Sequence, residues 1–210
     1  PDDEALASLG TRCGVAVFRG PSEDVLARML GALEGGTADV VLRVTGDDLL
    51  VDPDYADRAI EHHLRANAQY TDLKDLPSGT EVEVFDAELL RTLAKTARDR
   101  RGTEYLTSYV LRHRDQLRTA RVPVEPTHAK PWRLTLDTSE DLEVIRRFLS
   151  AMREQGKALS YRLDDIVAYF VQHPDVLGLN ANVRQRATPP DVDVELDWQR
   201  LGRTPCRSVP

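Results

Sequence analysis

The 210 residues carry a formal charge of −7, with 41% hydrophobic and 30% charged side chains. This is the balance of a globular domain with enough chain to bury a core. It excludes nucleic-acid binding through clustered Lys and Arg, yet leaves open a small phosphorylated ligand whose countercharge comes from a metal ion.

Cys13 and Cys206 are too few and too far apart for a disulfide framework or a zinc site, and both read as free thiols in a reducing cytoplasm. No apolar run approaches the ~20 residues of a membrane span, and no signal-peptide pattern opens the chain.

The opening Pro1-Asp2-Asp3-Glu4, followed by Ala5-Leu6-Ala7, reads as a helix already under way, as though the chain were entered partway through a domain. Gly14 to Phe18 predicts a strand. Pro21 and Ser22 then open a helix through Val25, Leu26, Met29, Leu30 and Leu33, which Gly35-Gly36 stop. Ala38 to Val44 is nearly continuously apolar, the pattern of a strand buried on both faces in a parallel sheet.

A helix follows from about Pro53 to Ala66, with Tyr55, Ala59, Ile60 and Leu64 on its apolar side. After the loop 76–80, Glu81-Val82-Glu83-Val84-Phe85 alternates with the period of a half-buried strand. Leu89, Leu90, Leu93, Ala94 and Ala97 resume helical spacing, and a second, more polar helix covers about 104–114. Residues 118–124 suit an edge strand because of Pro123, and 133–136 a further strand. Thr138 or Ser139 caps a helix with Leu142, Ile145, Phe148, Leu149 and Met152 on its buried face. One more helix runs from Leu163 to His173. Residues 187–210, with four prolines, are expected to form a loosely ordered tail after a domain spanning 1–186.

Alternating strands and helices predict an α/β sandwich, in which ligands sit beyond the carboxyl ends of the strands. Asp47 and Asp137 both follow predicted strands there. If the strands are neighbours, two carboxylates with phosphate oxygens and waters make a Mg²⁺ site. On spacing alone, Asp47 serves equally as a turn residue and Asp137 as the residue before a helix cap. The histidines suggest no catalytic grouping, and Trp132 and Trp198 read as packing residues.

Five collinear stretches carry a resemblance: Val17-Phe18-Arg19-Gly20 with Glu23-Asp24-Val25-Leu26; Arg43-Val44-Thr45-Gly46-Asp47-Asp48 continuing to Pro53; Pro77-Ser78-Gly79 with Glu81 to Phe85; Arg133 to Leu142, reading RLTLDTSEDL; and Asn180-Ala181-Asn182-Val183. Together they resemble the cytidylyltransferases of spore-coat polysaccharide synthesis, relatives of the enzymes that make CMP-activated sugar acids. The resemblance implies a three-layer α/β/α sandwich of the nucleotide-diphospho-sugar transferase type. It also implies transfer of CMP from CTP to a sugar acid or related anionic acceptor, for polysaccharide or specialised-metabolite synthesis.

Carried over position by position, Asp47 and Asp137 are the implied catalytic residues and Mg²⁺ ligands. Arg19, Arg43, Glu81 and Glu83 are implied substrate contacts. Departures stand beside these matches: Asp48-Leu49 replaces the family's Asn-Pro, Tyr105 its His, and Glu81 its Asp. The family's strand and arginine-glycine loop for the triphosphate find no counterpart in the 210 residues, so the chain as it stands is expected to bind CTP poorly. Two other expectations follow: a truncated, non-catalytic homologue that forms a homodimer or binds a partner, and a transferase using another nucleotide.

Overall fold

A computed structural model describes residues 3–100, 103–184 and 192–202, apart from the side chain of Glu104. The chain divides into two compact units: residues 39–89 with 114–187, and residues 1–38 with 90–113 and 188–210.

The unit that carries most of the core is built on four strands: β1 (Val40–Arg43), β2 (Tyr70–Asp72), β3 (Glu83–Asp86) and β4 (Thr119–Arg121). They lie in the order β1-β3-β2-β4, with β3 antiparallel to β1 and to β2, and β4 parallel to β2. The α/β class therefore stands, but the sheet is mixed rather than parallel. Among the described residues β1 pairs with β3 alone and is an edge strand: Leu42 is 36% and Val44 47% exposed. Its apolar run suggests burial on both faces, but an edge position leaves one side without a neighbour.

Helices pack around this sheet. Helix α3 (Pro53–Arg65) starts on an Asp52 side chain that accepts the amides of Asp54 and Tyr55. Its buried side is Tyr55, Ala56, Ala59 and His63, and Leu64 is 62% exposed, so the apolar stripe turns one position away from the expected one. His63 is accommodated because its Nδ1 hydrogen-bonds Thr71 Oγ1 at 3.0 Å. The three-residue strand β2 escapes prediction, since Tyr70-Thr71-Asp72 is too short to show a period.

Helix α6 (Ser139–Glu154) begins at Thr138 with a complete capping box to Asp141. It buries Val144, Ile145, Phe148 and Met152 in a core shared with Tyr161, α7 (Leu163–Gln172) and α8 (Pro174–Gly178), while Leu142 and Leu149 are only partly buried. Residues 133–136 form no strand. They lie extended against the 77–79 loop, where Ser78 and Arg133 make a single parallel bridge. Gly79 permits this approach: at φ +96° a Cβ there would stand 2.3 Å from the Leu134 carbonyl.

The other unit holds α1 (Glu4–Arg12), α2 (Val25–Leu33), most of α4 (Ala87–Thr96), a 3-10 turn at Thr103–Tyr105 and α5 (Leu106–Arg112). Helix α2 starts on Asp24, whose carboxylate accepts the Ala27 amide at 2.8 Å. Of Gly14 to Phe18, expected as a strand, Gly14 lies in a turn and 15–18 have no regular structure; no described strand pairs with them, and an unpaired strand is not stable. Where described, the expected loose tail is docked. Leu196 is buried and bridges Ala97, its amide donates to His113 Nε2, and a 3-10 turn follows at Trp198–Leu201. Leu196 supplies the apolar anchor that the proline count obscures.

Candidate functional site

Strands β1, β2 and β4 run in one direction, so their carboxyl ends share one edge with the start of β3. The registers place Arg43, Glu83, Asp72 and Arg121 in a single row across all four strands at this edge. Cross-strand partners project to the same face. The row resolves into two ion pairs: Arg43 with Glu83, and Arg121 with Asp72 at 2.9 Å. Glu83 is 7% exposed and also accepts the Tyr70 hydroxyl at 2.6 Å. Two of the expected acceptor contacts, Arg43 and Glu83, thus hold each other. The alternating pattern puts Glu81 and Glu83 on one side of the strand, facing a pocket or solvent; the buried Glu83 is tolerated because an arginine and a phenol satisfy it.

Beyond the edge, the loop after β1 meets the extended 133–136 segment. The Thr135 hydroxyl donates to Asp47 Oδ2 at 3.2 Å, and the Leu136 amide donates to the Asp47 carbonyl at 3.0 Å. Asp137 is the next residue. Its carboxylate is 51% exposed and receives Arg133 Nη2 at 2.5 Å. The two aspartates singled out from the sequence therefore sit on adjoining segments of one rim.

Glu81, also expected, has an ion pair with Lys74 at 3.1 Å. Burial pushes its carboxyl above the usual range, although Lys74 pulls the other way. Asp48 is raised likewise by burial, offset by the Thr45 hydroxyl donating at 2.6 Å and reinforced by the charge of Asp47. Arg19 lies in the other unit, exposed and paired with Glu4 at 2.9 Å.

A cavity of about 900 Å³ opens beside Glu81 and Lys74, with Ser78, Lys130, Trp132 and Arg133 among its lining residues. Lys130 Nζ stands 6.0 Å from the centre of the Trp132 ring. Arg133 Nη1 is buried without a hydrogen-bond partner among the described residues. Sequence reasoning assigns Trp132 to packing and passes over Lys74, Lys130 and Arg133, none of which carries a periodic signal. The capping-box spacing from Thr138 to Asp141 is visible in the sequence, but not that Asp141 serves more than the helix.

Other polar clusters are structural. His128 connects Tyr55 Oη at 2.9 Å to Asp164 at 2.7 Å, joining the 125–129 loop to α3 and α7. No group of three or more His, Cys, Asp or Glu among the described residues is placed to share a metal. No described helix is long and apolar enough to cross a membrane.

The mixed α/β unit thus brings two aspartate-bearing segments together beyond its strand ends. The chain belongs to the cytidylyltransferase family, whose model matches residues 3–166. It is 30% identical over 175 residues to the spore coat polysaccharide biosynthesis protein SpsF of Bacillus subtilis, covering 82% of this chain and 72% of that one. It is 28% identical over 187 residues to an uncharacterised protein of Methanocaldococcus jannaschii, covering 89% and 75% respectively. A cytidylyltransferase structure from Leptospira borgpetersenii shares its fold, with a TM-score of 0.76 at 23% identity, over 88% of this chain and 76% of that one.

Proposed function

We propose that the protein transfers CMP from CTP to a sugar acid or related anionic acceptor and releases pyrophosphate, with Asp47 and Asp137 as joint ligands of Mg²⁺. The observation that carries this reading is the pair of hydrogen bonds from Thr135 and Leu136 to Asp47, which ties the two aspartate-bearing segments together at the strand ends. The donor set suits the ion: Mg²⁺ takes one or two carboxylates and fills its octahedron with phosphate oxygens and water. Bound there, it would neutralise phosphate charge and orient attacker and leaving group.

The residues themselves divide the remaining work. Thr135 fixes the Asp47 carboxylate, and Arg133 holds that of Asp137 in place. Glu81 and Ser78, on the cavity wall, are placed to bind acceptor hydroxyls, with Lys74 holding Glu81 in position. Lys130 gives the same wall a cation for an acidic acceptor. In the transfer, an acceptor oxygen bonds to the α-phosphorus, and the bond to the bridging oxygen breaks with its electron pair leaving on pyrophosphate. The likeness to SpsF supports a role in polysaccharide synthesis, and the free, exposed Cys13 supports a cytoplasmic setting.

The test is calorimetry of the folded chain with CTP and Mg²⁺, with UTP and ATP as controls, followed by pyrophosphate release with a panel of sugar acids. Mg²⁺-dependent CTP binding supports the reading; a tighter response to another nucleotide would replace CTP. A second reading, association with a copy or partner, has one observation in its favour. Val15, Val17 and Phe18 are 59%, 44% and 48% exposed in one short segment. A sedimentation series in which Phe18→Ser leaves mass and assembly unchanged would remove it.

A further inference from the structure

The Asp141 side chain is fully buried, and its two oxygens accept from Arg133 Nε and Nη2 at 3.0 Å each, Asn180 Nδ2 at 2.8 Å, the Asp137 and Thr138 amides at 3.0 Å each, and Thr138 Oγ1 at 3.2 Å. A helix cap requires only the last part of that set. The rest bears on Asp137. Asp141 holds its backbone amide directly. Arg133 Nη2, shared between Asp141 and Asp137, holds its carboxylate. Asn180, 3% exposed and 47 residues away from Arg133, also donates to the Arg133 carbonyl at 3.0 Å. It therefore grips Arg133 at the backbone and, through Asp141, at the guanidinium. A carboxylate on a short loop loses rotamer freedom when it takes a cation, and a frame that has already fixed it lowers that cost.

We propose that Asn180 is a positioning residue for Asp137: by locking Arg133 and Asp141, it presets the aspartate that receives the divalent cation. This rests on the Mg²⁺ reading of Asp47 and Asp137 given above. It also gives Asn180, the first residue of the Asn-Ala-Asn-Val stretch at 180–183, a task in cation binding. A role confined to folding would lower the melting temperature and leave cation affinity alone.

The experiment is a double-mutant cycle on the full chain, with Mn²⁺ as the probe and paramagnetic broadening of the Leu136 and Asp137 amide signals as the readout. Asn180→Ala is expected to raise the half-broadening Mn²⁺ concentration about tenfold, a loss of ~1.4 kcal/mol. In the background of Asp137→Asn, which keeps an oxygen ligand but weakens binding, the same change is expected to have little further effect. Equal shifts in both backgrounds, or a lowered melting temperature with unchanged Mn²⁺ response, would overturn the proposal. If Asp137→Asn itself leaves the response unaltered, the cation assignment fails, and the positioning role with it. Should Asn180→Ala unfold below the assay temperature, Asn180→Ser, which retains one donor, takes its place in the cycle, and the same outcomes support or overturn the proposal.

Discussion

Thr135 and Asp47 lie 88 residues apart in the chain and share a hydrogen bond of 3.2 Å. With the adjacent backbone bond from Leu136, it makes a joint between the loop after β1 and the segment leading into α6. Asp137 hangs from one side of that joint and Asp47 from the other.

Replacing either aspartate by alanine is expected to cut turnover about a hundredfold or more, as loss of a group that stabilises transition-state charge does. Stability should change little. Asp137 is half exposed, and its ion pair contributes up to ~1 kcal/mol; Asp47 loses one hydrogen bond worth about 1 kcal/mol. Steady-state kinetics beside thermal melts separates the two effects.

Asp141 is expected to behave in the opposite way. Asp141→Ala leaves Arg133 with the half-exposed Asp137 as its remaining ion-pair partner, and the loss of its buried one is expected to cost about 3 kcal/mol. Denaturant titration measures this directly.

The same residue sets an acid limit on stability. Burial alone would raise the Asp141 carboxyl, but hydrogen bonds from Arg133, Asn180 and the Asp137 amide outweigh it and bring the pKa down to about 2. A depressed acid stabilises the fold above its unfolded pKa of about 3.9 and loses that contribution as pH falls toward the folded value. On the order of 2 kcal/mol should therefore disappear between about pH 4 and pH 2, and Asp141→Asn should flatten this part of the profile.

Gly79→Ala tests the close approach that seats the 133–136 segment. The new Cβ meets backbone atoms of Leu134 and Thr135 at a positive φ, and neither can yield without moving the chain. A loss of roughly 2–4 kcal/mol in urea is expected, as for other incompatible backbone substitutions.

Glu81→Gln keeps an acceptor for Lys74 while removing the charge at the cavity wall. Stability is expected to stay within about 1 kcal/mol, while the acceptor KM rises several-fold and the CTP KM holds. An equal rise in both constants would remove Glu81 from the acceptor side.

Much of this is legible in the sequence, and the parts that are not fail for identifiable reasons. Helices α3 and α6 appear because Pro53 and Thr138 are local signals, although the Asp52 cap emerges only in the structure, and Asp47 and Asp137 stand out by position after apolar segments. Strand direction does not appear: β1 looks like an interior parallel strand by composition, and only its pairing with β3 reveals an edge. The segment at 14–18 has strand composition without a strand partner. Glu83 and Arg43 are attractive ligand candidates as isolated residues, yet their facing positions in adjacent strands commit them to each other. Asn180 carries no periodicity and stands in the sequence only as part of a matching stretch; its hydrogen bonds to Arg133 and Asp141 emerge only in the fold.

Whether Asp47 and Asp137 together hold one divalent cation can be read from crystals soaked in Mn²⁺ by anomalous diffraction. A single strong peak is expected within about 2.0–2.4 Å of a carboxylate oxygen from each residue, at ordinary distances for a hard cation on oxygen. A peak ligated elsewhere, or the two carboxylates too far apart to share one ion while Mn²⁺ is bound, would contradict it.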